Sequence, residues 1–151
     1  MPPTLYSTTF AALYDTDLVS HAMQRMLDDR VTDLPVVDGD GKLVGMLKLD
    51  RLLAGLLPKA ALVGFGMDLA FVGDTMEHLR ERMREIAAEP VRDFCVRADP
   101  VAHPDTPPLE IVLLIYRGAH SVPVVDRASG KLVGMVSARD VLAALQAPRT
   151  P

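Results

Sequence analysis

One stretch of the chain occurs twice, and that duplication limits the possible folds more than any other feature. Ser121 to Leu145 reads SVPVVDRASGKLVGMVSARDVLAAL, and Asp33 to Leu57 reads DLPVVDGDGKLVGMLKLDRLLAGLL. Both contain Pro-Val-Val-Asp, then Gly-Lys-Leu-Val-Gly-Met, then an apolar run. The offset from Gly45 to Gly134 is one residue longer than that from Pro35 to Pro123, so the second turn holds one extra residue. A repeat of this kind is a supersecondary unit that buries its apolar face against its neighbour.

Each copy reads as a hairpin followed by a helix. Leu34 to Val37 runs into Asp38-Gly-Asp-Gly41, and Lys42 to Leu47 follows; an Asp/Gly cluster between two strand-forming runs signals a hairpin. Val122 to Val125, the turn Asp126 to Gly130, and Leu132 to Val136 repeat it. Apolar positions at helical spacing come next: Leu49, Leu52, Leu53 and Leu56 in the first copy, Val141, Leu142 and Leu145 in the second. Strands this apolar call for helices on both faces. Upstream, Leu18, Ala22, Met26 and Leu27 predict one side of a helix with Asp17 as its cap. Leu109, Val112, Leu113 and Tyr116 predict its counterpart, after prolines suited to a first turn. Opening strands are expected within Leu5 to Leu13 and at Phe94-Cys95-Val96. The expected architecture is an α/β (α+β) fold of two strand-helix-strand-strand-helix repeats.

With 151 residues, 49% of them apolar, the chain can form two small half-cores packed together. Its net charge is −4, from sixteen basic and twenty acidic residues, with no basic run interleaved with aromatics. Nucleic acid and anionic membranes are therefore not expected partners. A lone cysteine, Cys95, and an N-terminus without a basic and apolar leader point to the cytoplasm. No apolar segment approaches the roughly 18 residues that span a bilayer. Met1 to Thr4 is expected to be a loose end. Residues 58–73 are apolar but broken by glycines, predicting a connection packed on a surface. Asp74 to Glu89 predicts an amphipathic helix with the stripe Met76, Leu79, Met83 and Ile86. That helix is either a surface element or one that meets a partner subunit or covers a cleft.

Chemistry concentrates in Gly134-Met-Val-Ser-Ala-Arg-Asp140. Gly134 leaves room for a backbone or a ligand to approach the strand end. Ser137 stands where strand gives way to helix, and a helix N-terminus there can hold phosphate. Asp140, three residues on, can accept hydrogen bonds from ribose hydroxyls, and Arg139 can neutralise phosphate. The competing reading is a capping box, in which Ser137 and Asp140 satisfy each other's backbone N–H. One helix start can be both capped and occupied.

The doubled PVVD…GKLVGM hairpin with Gly134 to Asp140 resembles a tandem pair of CBS domains, the Bateman module, over Leu5 to Gln146. The resemblance implies two repeats, 5–57 and 93–146, packed through their sheets about a pseudo-two-fold axis, with residues 58–92 as a connecting segment carrying the inserted helix. It implies clefts for an adenosine-containing ligand such as AMP, ADP, ATP or S-adenosylmethionine, no obligatory cofactor, a homodimer, and a regulatory role toward another, unidentified protein. By that likeness Asp140 holds the ribose and Ser137 lies near ribose or phosphate, beside Met135 and Val136, with Arg139 on phosphate. Val31 and Thr32 contact adenine, and Tyr6, Thr9 and Ala11 complete the cleft. The first repeat departs from this pattern, because Lys48 replaces the hydroxyl and Arg51 the carboxylate. A cation cannot accept a hydroxyl donor. The cleft framed by Lys48, Arg51, Ala119 and His120 is thus expected to be either empty or suited to an anion, leaving one nucleotide site per chain.

Other chemistries find weaker footing. His21, His78, His103 and His120 show no metal-ligand spacing, and Asp38-Gly-Asp-Gly41 lacks the later carboxylates of a calcium loop, which favours a turn. Cys95 sits in an apolar context with no base to activate it, so a structural thiol is expected. No nucleophile elbow, phosphate-cradling loop or paired catalytic carboxylates are present, and an enzyme is not expected. Two readings stay open: a stand-alone adenosine-ligand sensor, or an interaction scaffold in which Ser137 and Asp140 merely cap a helix.

Overall fold

Both Pro-Val-Val runs become the inner strand of an antiparallel hairpin. The computed structural model describes residues 4–57 and 75–146. Its first half runs β1 (Leu13–Tyr14), α1 (Val19–Asp29), β2 (Asp33–Val37), β3 (Leu43–Lys48) and α2 (Leu49–Ala54). Next come α3 (Met76–Ala87) and a 3-10 turn at Val91–Asp93. The second half runs α4 (Pro108–Tyr116), β4 (Ser121–Val125), β5 (Leu132–Ser137) and α5 (Ala138–Gln146). Residues 1–3 and 58–73, expected to be a loose end and a surface-packed connection, lie outside the described residues. No helix among those described is long and apolar enough to cross a membrane.

The registers show how closely the copies match. Leu34 opposes Leu47 and Pro35 opposes Met46 in the first hairpin; Val122 opposes Val136 and Pro123 opposes Met135 in the second. Each ladder slips once, at Val36/Val37 and at Val124/Val125. The Asp38 carboxylate accepts the N–H groups of Asp40 and Lys42 at 2.9 and 3.0 Å, so the acidic cluster forms a turn. Both inner strands are buried along all but their first residue, as their composition requires.

The opening strands differ from the expectation. The segment from Leu5 to Leu13 is not one strand: Ser7 pairs with Met135 of the other repeat, and only Leu13 and Tyr14 pair with their own β2. The second copy does the same, with Val96 paired to Met46 and Ala102 to Val124. The counterpart of β1 is therefore Ala102, and Phe94-Cys95-Val96 crosses to the first repeat. Leu5 and Tyr6 accordingly pack on the second core, around Val122, Val124 and Val136; Phe94 and Cys95 pack on the first, around Leu13, Val36, Leu47 and Leu52. A residue that crosses once is anchored by a single bridge, too short a pairing for any periodicity to reveal. The exchange explains the two glycines. A β-carbon on Gly45 would run into the Val96 carbonyl, and one on Gly134 into the Tyr6 ring and the Ser7 carbonyl.

Helix faces also differ in part. In α1 the buried residues are Val19, Ala22 and Met26, whereas Leu18 and Leu27 are exposed. Asp17 does not cap α1; its carboxylate accepts the Tyr14 N–H at 2.8 Å, tightening the turn before the helix. In α4 only Ile111 is buried, and the predicted stripe faces outward, with Leu109 80% and Tyr116 85% exposed. In α3 Thr75 caps the start through its hydroxyl, and Ile86 reaches the first core against Gly55. An apolar stripe marks a helix face without saying what covers it.

Candidate functional site

Two clefts open where the repeats meet, and the repeat offset relates them. In the second cleft, about 210 Å³ in volume, Ser137 and Asp140 at the start of α5 face Val31, Asp33, Thr9 and Ala11. The start of α5 is a closed capping box: the Asp140 Oδ2 accepts the Ser137 N–H at 2.9 Å and its hydroxyl at 3.0 Å, while the Ser137 Oγ accepts the Asp140 N–H at 3.3 Å. All these bonds use Oδ2. The other carboxylate oxygen, Oδ1, has no hydrogen bond among the described residues and retains its acceptor capacity.

The opposite wall comes from the end of α1. Arg30 adopts a left-handed conformation with φ 54°, and the Val31 N–H returns to the Met26 carbonyl at 3.1 Å. This sharp exit delivers Val31 and Asp33 to the cleft. Ser7 enters with its hydroxyl occupied locally, donating to the Thr9 carbonyl at 2.9 Å.

The second cleft thus gathers Ser137, Asp140, Met135, Val31, Thr9 and Ala11. It does not gather the rest of the residues that the resemblance implied. Tyr6 packs under Gly134 and on the second core, Val136 is wholly buried, and Thr32 and Arg139 are exposed outside the lining. Ser7, Phe10, Asp33, Leu34, Pro35 and Ser121 also line it and were not anticipated. Asp33 and Ser121 were findable, since they occupy the same place in the two copies, two residues before each inner-strand proline.

The first cleft is larger, about 380 Å³. Lys48, Ala119 and His120 line it as expected, but Arg51 is exposed on α2 and does not. Arg97, Asp99 and Arg117 take part instead, and Asp33 and Ser121 are shared with the second cleft. Lys48 precedes α2 without a side-chain cap, so the box that closes the second cleft has no counterpart here.

Among the described residues no three of His, Cys, Asp and Glu gather closely enough to hold a metal ion. Burial pushes the Cys95 thiol up from its ordinary value, and the charges of Asp15 and Asp93 push it the same way against a hydrogen bond that opposes them. A thiol with so little thiolate is a poor nucleophile.

Residues 5–57 and 91–147 each match the family model of the CBS domain. Among solved structures, a CBS domain-containing protein of unknown function from Kribbella flavida is 21% identical with a TM-score of 0.72, over 96% of this chain and 97% of that one. The CBS-pair protein CBSX2 from Arabidopsis thaliana has a structure in complex with AMP. It is 26% identical with a TM-score of 0.64, over 93% of this chain and 91% of that one. A CBS domain pair/ACT domain protein from Thermotoga maritima is 20% identical with a TM-score of 0.64, over 93% and 92%. No curated protein sequence matches the chain.

Proposed function

The chain belongs to the CBS-domain family, and from that premise we propose that its second cleft binds an adenosine-containing ligand and reports it to a partner protein. The observation that carries this reading is the free Oδ1 of Asp140 at the mouth of the capped helix α5. A ribose presents two adjacent hydroxyl donors, and an ionised carboxylate is an acceptor only, so the two match. Val31, Ala11 and Met135 supply an apolar wall for the adenine. The AMP complex of CBSX2, a structural relative across nearly the whole chain, supports AMP as the first ligand to try. ADP, ATP and S-adenosylmethionine share the same ribose and base.

The role is read as regulatory, the general role of paired CBS domains. Regulation requires that the ligand bind one arrangement of the repeats more tightly than another. The segments that exchange at Ser7 and Val96 couple each half to its neighbour and are the natural place for such a change. The outward stripe of α4, Leu109, Val112, Leu113 and Tyr116, with Leu142 and Leu145 of α5, is the face through which two copies pair as a homodimer. The unpaired Cys95 suits a reducing cytoplasm.

A second reading has its own observation. The closed capping box alone explains Ser137 and Asp140 as structural residues, with the protein an interaction scaffold. A thermal-shift panel of AMP, ADP, ATP, S-adenosylmethionine and GTP separates the two. Ligand at roughly a hundred times its Kd stabilises by about 2.7 kcal/mol, equivalent to about 5–10 °C in a chain of this size. The sensor predicts such a shift with at least one adenosine ligand, absent in Asp140→Ala. The scaffold predicts no shift, and a melting point lowered only by the loss of a cap, about 1 kcal/mol.

A further inference from the structure

We propose that the first cleft is a binding site for a compact polyanion of the phosphate or diphosphate class, distinct from the adenosine site. Lys48, Arg97, Arg117 and His120 line one concavity of about 380 Å³. None of these four side chains makes a hydrogen bond or an ion pair among the described residues. Asp33 stands directly across the ladder from Lys48, yet the two form no ion pair. With Asp33 and Asp99 counted, the formal balance of the cleft stays positive.

The repeat itself does not demand these side chains. The residues in equivalent places in the other copy are Ser137 for Lys48, Thr8 for Arg97, Asp29 for Arg117 and Thr32 for His120. Among the described residues the second cleft is lined by Asp33 and Asp140 and by no cation, so the two clefts have opposite charge on one frame. Two guanidinium forks and an ammonium offer more donors than a two-oxygen carboxylate can accept, and a phosphate with its several oxygens uses more of them. The carboxylate that stands at the helix start of the second cleft is replaced here by Arg51, which stands outside the cleft.

The anion can arrive free or as the tail of a nucleotide, and calorimetry with inorganic pyrophosphate as the probe distinguishes the cases. The parent chain is expected to bind pyrophosphate with an affinity that falls as salt rises. Lys48→Gln and Arg117→Gln are each expected to weaken it about tenfold or more, since each removes a charge-assisted hydrogen bond. Arg97→Gln, at an exposed position, replaces either variant that fails to melt cooperatively. Asp140→Ala is expected to bind pyrophosphate like the parent, which keeps this site separate from the adenosine reading. In Asp140→Ala, Lys48-dependent binding of ADP identifies a nucleotide tail as the source; pyrophosphate binding without ADP binding identifies a free anion. Absence of pyrophosphate binding to the parent at millimolar concentration, or binding that survives Lys48→Gln and Arg117→Gln, overturns the proposal.

Discussion

The two clefts share a hairpin design and two wall residues, Asp33 and Ser121, but differ at the point where strand becomes helix. In the second, Ser137 and Asp140 close a capping box and leave a carboxylate oxygen free; in the first, Lys48 precedes an uncapped helix and Arg51 turns outward. The frame came through the duplication intact, down to the register slip in each ladder. The chemistry changed at a handful of side chains that stand outside the two buried cores. A buried position is held by many neighbours at once, whereas a cleft side chain can change charge while the core stays as it was.

The two copies differ in tolerance most at their paired glycines. Gly45→Ala is expected to cost about 3 kcal/mol, since its β-carbon meets the Val96 backbone carbonyl, which cannot swing aside. Gly134→Ala is expected to cost less, about 2 kcal/mol, because the Ser7 carbonyl lies farther from its β-carbon than the Val96 carbonyl does from that of Gly45, although the Tyr6 ring must shift as well. Chemical denaturation of both variants checks the order, and equal losses would show that the two crossings are equally compliant. Grafting the second helix start onto the first, as Lys48→Ser with Arg51→Asp, is expected to gain about 1 kcal/mol from a new cap and to weaken pyrophosphate binding. A smaller difference lies at the exits of α1 and α4, where the left-handed residue is Arg30 in one and Gly118 in the other. Relief of about 1–2 kcal/mol of left-handed strain, against roughly 0.5–1 kcal/mol of added chain entropy, makes Arg30→Gly stabilising by about 0.5 kcal/mol.

The smallest effect concerns the second hairpin turn. Ser129 donates both its hydroxyl and its N–H to the Asp126 carboxylate at 2.7 and 2.9 Å, holding that group below the usual carboxylate range. A group whose folded pKa is depressed contributes stability that is complete above its unfolded pKa and is lost as pH falls through the folded one. Asp126→Asn is therefore expected to lower stability slightly at neutral pH and to flatten the acid limb of the profile, so that the two chains converge below the ordinary value of 3.8. Melting curves across acid pH read this directly.

Much of this molecule was legible in its sequence. The hairpins follow from apolar runs around Asp/Gly turns, and the capping box follows from Ser137 and Asp140 at the right spacing. What was not legible is tertiary. Nothing local to Ser7 or Val96 says that each pairs with the other repeat, and no helical period says that Tyr116 faces out while Ile111 faces in. Tyr6 lies apart from the second cleft for the same reason: its ring fills the space Gly134 leaves and packs on the second core. The lining of the first cleft was half visible. Lys48 and His120 stand beside the duplicated strands, but Arg97 and Arg117 reach the cleft only through the crossing segment and the end of α4.

Isothermal titration of AMP into the parent, Asp140→Ala and Lys48→Ser determines whether the adenosine site is the cleft of the capped helix. The parent is expected to bind one AMP per chain, with an affinity lowered about tenfold or more in Asp140→Ala and little changed in Lys48→Ser. AMP binding that survives Asp140→Ala but is lost in Lys48→Ser would place the nucleotide in the other cleft and contradict the account.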